Sequence, residues 1–513
     1  MKKTRGTGIA ISYLNTLLNM IFGLILSAFL LKKLGDTEYG LYQTISAFAS
    51  YLVMLEFGTG TVMARNIAVC RSKNDNSKII SNASTIWYIT LFLSLLILIA
   101  SVVFYFNIEN IYRDTMTNVQ VAYSKKIFLF VIAYLVLSFL TQAMNGFLLG
   151  MENYTFSQKI NFLKLILRTS LLILIISLKP YAVFIAIIDM CISVALFTST
   201  FIYSKKKYKI KLSVRYFDKK ILKESIPLCF ALMLQTIVNQ ANNSVDKFII
   251  GIKLSMETVA LYSVAQYIYS IFSSITTIPI NMYLPQVAKD VEKGLKGKEL
   301  TATLIEPCRL ICLIGGAILF GFFAVGKQFI EIIYGKTYKD AWIYALIIMA
   351  PMFVNMANGI LVNVLDILKK RMVRSYILFG TTILNILLTI ALISDYQIMG
   401  AVIATAISTS IGQIFLMNLY YSKVLGIKII YLFKEAFKGI VPIEFIIAVI
   451  TFLIGGLIKN IYFSFLISGV CFVFFTTILI LKFGLNNFEK IRIKKFWNRI
   501  RTKGEYKNES FYE

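Results

Sequence analysis

The sequence predicts an all-α polytopic membrane protein with fourteen transmembrane helices, arranged as two parallel six-helix lobes plus two extra C-terminal helices, with N- and C-termini cytoplasmic. Three observations predict it. The 513-residue chain is 58% hydrophobic and only 15% charged, with a mean hydropathy of +0.74; soluble domains hold about 45–50% apolar residues. Its apolar runs are long enough to cross a hydrocarbon core ~30 Å thick, which takes ~20 residues at ~1.5 Å each. One stretch is also written twice: Lys33-Leu34 and Leu41-Tyr42 return 220 residues later as Lys253-Leu254 and Leu261-Tyr262.

The apolar segments run over 9–31, 39–57, 80–106, 127–149, 158–178, 181–203, 226–250, 258–280, 300–325, 341–365, 372–394, 397–421, 438–458 and 461–482. The first is too long for the apolar core of a signal peptide, and no small-residue cleavage site follows it, so it is expected to stay as the first helix. With the N-terminus inside and the helices alternating, most of the 53 Lys and Arg fall on the cytoplasmic side. The run Lys205-Lys206-Lys207 lies there, as do Arg65, Arg71, Lys73 and the group Lys369-Lys370-Arg371. This positive-inside pattern sets the orientation and accounts for the net charge of +27 without nucleic acid as a partner.

The repeat continues along the chain. Asn145-Gly146 in the fourth segment matches Asn358-Gly359 in the tenth, Tyr181 matches Tyr396, and Tyr203-Ser204-Lys205 matches Tyr421-Ser422-Lys423. Each copy holds an even number of helices, so both enter the membrane in the same direction and leave a cleft between them. The expected divisions are an N-lobe at 1–203, a basic cytoplasmic linker at 204–225, a C-lobe at 226–421, two added helices within 422–482 and a basic tail at 483–513. Phe488, Ile491, Phe496, Trp497 and Ile500 space the tail roughly as a helix, which suits either an anionic lipid surface or a solvated tail.

An ionisable or amide group inside the bilayer is a functional candidate, because leaving it unpaired there costs several kcal/mol. Gln235, Asn239, Asn242, Asn243 and Asp246 recur at steps of three and four in the seventh segment, with Lys247 next. Asn15 and Asn19 stand at the matched places in the first. Two such stripes facing across a cleft suit sugar hydroxyls, which donate and accept; interhelical glue is the other reading. Lys164 and Arg168 share a face of the fifth segment, and antiparallel counting puts Asp189 within about a turn of Arg168. The pair is either a structural ion pair or part of a cationic wall for a phosphate. Glu306 and Arg309 are expected to pair at i, i+3, and Glu56 to serve as a cap or a loop ion pair.

Several chemistries are missing. No G-x-x-x-x-G-K-[ST] is present, so no P-loop hydrolyses ATP. With no His, the chain has no imidazole base and no usual zinc set. Cys308 and Cys312 at i, i+4 read as buried thiols, not a metal pair. No cofactor and no enzyme activity are expected, and energy must come from an ion gradient, the membrane potential or the substrate gradient.

The sequence resembles the polysaccharide flippase family of the multidrug, oligosaccharidyl-lipid and polysaccharide exporter superfamily. The resemblance is carried by Leu34-Gly35 with Tyr39-Gly40-Leu41-Tyr42, by Phe57-Gly58-Thr59-Gly60, and by Val245-Asp246-Lys247-Phe248-Ile249-Ile250-Gly251. Leu261-Tyr262-Ser263-Val264-Ala265 and Tyr334-Gly335-Lys336-Thr337-Tyr338 extend it over nearly the whole chain. It implies a flippase of the bacterial inner membrane that moves undecaprenyl-diphosphate-linked oligosaccharide by alternating access, for O-antigen, capsule or exopolysaccharide. Partners would be that lipid-linked substrate, membrane lipid, and the polymerase and glycosyltransferases of the pathway. On this reading Asn15, Asn19, Gln235, Asn239 and Asn243 contact the glycan, and Lys247, Lys164 and Arg168 the diphosphate. The second repeat copy departs from the pattern, with Ser255 and Ala260 in place of Gly35 and Gly40. Two rival readings stay open: a cation-coupled drug exporter of the same fold, and a lipid II flippase. A membrane glycosyltransferase or polymerase would need a large external loop, which the sequence lacks.

Overall fold

The computed structural model describes residues 2–52, 58–73, 75–210, 212–368, 370, 372–486 and 489–490. Side chains at 2–17, 154, 231, 234–235, 237–244, 281 and 285 lie outside that description. Among the described residues there is no strand. The chain begins with α1 (Lys2–Leu34), α2 (Asp36–Leu52), α3 (Thr59–Ser72), α4 (Asn76–Ile111), α5 (Asn118–Gly150), α6 (Tyr154–Leu178) and α7 (Val183–Tyr208). Then come α8 (Lys219–Lys253), α9 (Met256–Glu292), α10 (Gly297–Ile333), α11 (Ala341–Ala357), α12 (Gly359–Ile367) and α13 (Met372–Thr409). It closes with α14 (Met417–Leu425), α15 (Ile429–Phe437), α16 (Val441–Leu457) and α17 (Ile461–Leu479).

Eight described helices are long and apolar enough to cross a membrane, or nine if the bent pair α15–α16 is one span. Their outer faces are apolar. On α4, Phe92, Leu95, Ile99, Val103 and Phe106 are each more than half exposed, as are Phe463, Leu466, Val470 and Val473 on α17. A water-soluble surface rarely carries apolar patches of that extent, whereas lipid matches them. The protein is a multi-pass membrane protein.

The expected segments at 372–394 and 397–421 enter one long element, α13, but the backbone leaves helical geometry at Gln397 (φ 51°, ψ −131°). The chain folds back there. A Cβ on Gly400 would lie 2.5 Å from the Leu392 carbonyl oxygen, so only glycine allows the two limbs to approach this closely. A π-helical stretch, Ser410–Leu416, then leads into α14. The tenth segment is broken as well, with α11 ending and α12 starting at Asn358.

α3 is a helix that apolar-run counting leaves as a loop. Its buried face, Val62, Met63 and Ile67, packs with Phe147 and Leu148 of α5 and Ile79 of α4. Glycines allow the contact: a Cβ on Gly146 would sit 2.1 Å from the Gly60 carbonyl oxygen. Small residues at such a seam let backbones touch, and that close packing is one source of helix association in lipid.

The chain divides into two compact units. One comprises Met1–Tyr267 with Leu378–Thr405, the other Ile268–Ile377 with Ala406–Glu513. In the first unit the repeated turns pack against each other. Thr37 donates to Glu257 (2.7 Å), Thr44 reaches the Met256 sulfur (3.4 Å), and Gly40 lies where a Cβ would meet the Met256 carbonyl. A hydrogen bond from Ser255, with the one from Thr37, holds the Glu257 carboxyl below its usual range.

Candidate transport site

Two polar centres lie among the apolar helices of the first unit. The first is held by the α6–α7 hairpin. Arg168 on α6 forms a forked ion pair with Asp189 on α7, Nε to Oδ1 at 2.5 Å and Nη2 to Oδ2 at 2.8 Å. The expected pair is therefore made, with the planar guanidinium matched to a carboxylate. It opens into a cavity of about 250 Å³ lined also by Tyr42, Ser46 and Ser50 of α2 and Tyr134 of α5. Four hydroxyls and a neutralised ion pair make this a chamber that can donate and accept hydrogen bonds with no large net charge. Lys164, half-buried one turn before Arg168, adds the local positive charge. The hairpin turn is anchored: the first amides of α7 donate to the Glu38 carboxylate (Ala182, 2.9 Å) and the Tyr123 hydroxyl (Val183, 3.1 Å).

The second centre surrounds Asp246 on α8, which is buried at 7% exposure. Its carboxylate accepts from the hydroxyls of Tyr262 on α9 (2.7 Å) and of Thr405 (2.8 Å) and Thr389 (3.4 Å) on α13. Asn385 donates to the Thr405 oxygen (3.0 Å), which also lies 3.0 Å from the Ala401 carbonyl. A threonine hydroxyl has one proton, so Thr405 serves the carboxylate or the carbonyl, not both at once. If its proton turns to Ala401, its remaining lone pair faces the site. Asp246 with three hydroxyl oxygens can then hold a proton or a small hard cation. Lys247 turns elsewhere, half-buried, with Nζ 3.4 Å from Gln43 Oε1 of α2.

The two centres correspond through the repeat. Tyr42 beside Asp189 is the counterpart of Tyr262 beside Asp246. Arg168–Asp189 ties α6 to α7 across 21 residues of chain, and Asn385–Thr405 ties the limbs of α13 across 20. Each hairpin is bridged at one level, by an ion pair in the first copy and by neutral groups in the second. Sequence reading singled out the acids but not the tyrosines, threonines and serines around them. The repeated Leu-Tyr dipeptide was the one signal pointing to Tyr42 and Tyr262.

Other expectations fare differently. Asn15 lies on α1, and Gln235, Asn239 and Asn243 on α8, but their side chains are outside the described residues, as are Glu56 and the tail at 491–513. Asn19 is exposed on α1. The expected pairing of Glu306 with Arg309 is corrected. All five N–H donors of Arg309 are taken by Glu489 (2.7 and 3.2 Å) and by the carbonyls of Glu435, Lys438 and Gly484 (2.7, 3.0 and 2.7 Å). Tyr283 donates to Glu306 (3.1 Å). Arg309 thus fastens the end of α15 and the segment after α17 to α10, which an i, i+3 partner could not do. Cys308 and Cys312 are buried free thiols, and among the described residues no three His, Cys, Asp or Glu side chains gather together.

A family model described as a polysaccharide biosynthesis protein matches residues 6–289. No curated protein matches the chain in sequence. Among solved structures, the lipid II flippase MurJ in an inward closed conformation is similar at a TM-score of 0.72 and 16% identity, covering 92% of this chain and 97% of that one. An inward-facing multidrug resistance MATE family transporter of the MOP superfamily gives 0.62 and 14%, covering 80% and 95%. A MATE transporter from Vibrio cholerae gives 0.54 and 12%, covering 84% and 100%. At these identities the likeness is one of fold.

Proposed function

The chain belongs to the polysaccharide biosynthesis protein family, and on that premise we propose that it is a flippase for undecaprenyl-diphosphate-linked oligosaccharide repeat units in the bacterial inner membrane. The observation that carries the reading is the family match over residues 6–289, a range that contains Arg168, Asp189 and Asp246. The chamber at Arg168–Asp189 supports it, because hydroxyl-lined walls suit a glycan better than an apolar drug. On this reading the glycan enters between two parallel lobes, 1–203 and 226–421, while the polyprenyl tail stays in lipid. The fourteen spans, the cytoplasmic termini, and the amide stripe of Asn15, Asn19, Gln235, Asn239 and Asn243 belong to the same proposal, with Lys247 and Lys164 beside the diphosphate. Asp246 is the group we assign to the coupling proton or cation. A ligand that binds one conformation better than the other shifts the balance between them, and a buried acid with reversible hydroxyl partners can provide that difference.

Deleting the gene should abolish surface polysaccharide and leave the lipid-linked unit on the cytoplasmic leaflet. Asp246→Asn should fail to restore it while remaining in the membrane. Normal surface glycan with new drug sensitivity would replace the proposal by a drug exporter, and lysis on depletion would replace it by a lipid II flippase.

A further inference from the structure

Beyond the two polar centres, residues of α6 and α7 line a groove of about 810 Å³. Lys159 near the start of α6 and Lys206 and Lys207 near the end of α7 are among them. The helices are antiparallel, so these three lysines come to the same end, and no carboxylate is among the described residues that line the groove. One to two turns deeper the walls become aliphatic, with Leu163 and Ile202 exposed at 53% and 44%. The floor is rigid. The Tyr203 ring stacks on Phe156 with centroids 3.6 Å apart. Its hydroxyl is held by Asn153 and by Lys207, both at 2.8 Å.

Cations at the mouth, aliphatic walls below and a fixed aromatic floor match an amphiphile with an anionic head. We propose that the groove is a binding site for an anionic phospholipid of the bilayer, with the phosphate on Lys159, Lys206 and Lys207 and an acyl chain along Leu163 and Ile202. Polybasic clusters attract such lipids, and lysine stems lie along apolar surface while their charges stay at headgroup level. Arg168 lies nine residues beyond Lys159, roughly 13 Å up the same helix. A lipid seated between the helix ends therefore braces the hairpin that carries Arg168–Asp189. This inference is independent of the cargo the protein moves.

The test uses the purified full chain in detergent, with phosphatidylglycerol, phosphatidylcholine, undecaprenyl phosphate or inorganic phosphate added, and reads the thermal midpoint and retention of lipid by native mass spectrometry. Phosphatidylglycerol should raise the midpoint and phosphatidylcholine should not. K159Q/K206Q/K207Q should bind phosphatidylglycerol on the order of a hundredfold more weakly. The K159R/K206R/K207R variant should keep the response, which separates lost charge from lost folding. Equal shifts with phosphatidylcholine, an undiminished response in the Gln variant, or a shift given only by undecaprenyl phosphate or by inorganic phosphate would overturn the proposal.

Discussion

Glu444 on α16 is fully buried, and neither carboxylate oxygen has a hydrogen-bond partner among the described residues. It faces Gly316 of α10, where a Cβ would lie 2.0 Å from one of those oxygens. An unsatisfied buried polar group costs about 1–3 kcal/mol, so Glu444→Leu should raise the thermal midpoint in detergent. A fall would show that the carboxyl makes a bond in the folded protein. If transport is lost while stability rises, the acid is retained for function. Arg168 and Asp189 make the opposite case. Removing one partner leaves the other charge unpaired, so Arg168→Met and Asp189→Leu should each destabilise more than the double variant, with a coupling of about 1–3 kcal/mol in a thermal double-mutant cycle. Additive effects would mean the pair is energetically idle. For Asp246 the expected result concerns function: Asp246→Asn keeps hydrogen bonds to its hydroxyls, so the midpoint should move little while transport is lost. Asp189 and Asp246 can be picked out in the sequence as charges within apolar runs, where Glu444 was passed over. Their environments cannot, because Thr389 and Thr405 lie more than 140 residues from Asp246 in the chain.

Among the elements, glycines decide which helices touch. Gly146→Val would force a side chain into the Gly60 carbonyl and part α5 from α3, costing about 1–3 kcal/mol or more as overpacking. Gly469→Val, where a Cβ meets nothing within 4 Å, should be tolerated. Size-exclusion profiles of the two variants check the contrast, and equal behaviour would refute the seam. The repeated turn shows how two copies reach one shape differently. Gly35 adopts a left-handed φ of +79° after α1, whereas the second copy ends α8 on an extended Leu254 (φ −122°) and so has no need of glycine at Ser255. The sequence showed that the glycines were lost and could not show what replaced them. Helix α3 was illegible for a different reason: its buried residues Val62, Met63 and Ile67 are interspersed with polar ones, and counting long apolar runs does not register such a helix. The reversal at Gln397 was legible to within a few residues, since Tyr396 repeats Tyr181 at the head of a hairpin limb.

At the scale of the molecule, the broad apolar outer faces of α4 and α17 require lipid or detergent, and purified protein should aggregate when detergent is removed without lipid. Monodisperse protein in plain buffer would contradict the membrane reading. Proteoliposomes holding a fluorescent lipid-linked oligosaccharide should show transbilayer movement that the Asp246→Asn variant loses. By packing, α8 lies on α2, and Leu378–Thr405 joins the first compact unit. By itself the sequence determined the membrane class, the repeated turn motif and the presence of acids in apolar surroundings, because hydropathy and spacing are properties of neighbouring residues. Only the tertiary structure decided that Arg309 belongs to Glu489 rather than Glu306, that Asp246 sits in a ring of hydroxyls, and that Tyr42 and Tyr262 stand at corresponding centres. Those partners are set by which helices meet in space, and the separation of two residues along a chain does not encode that.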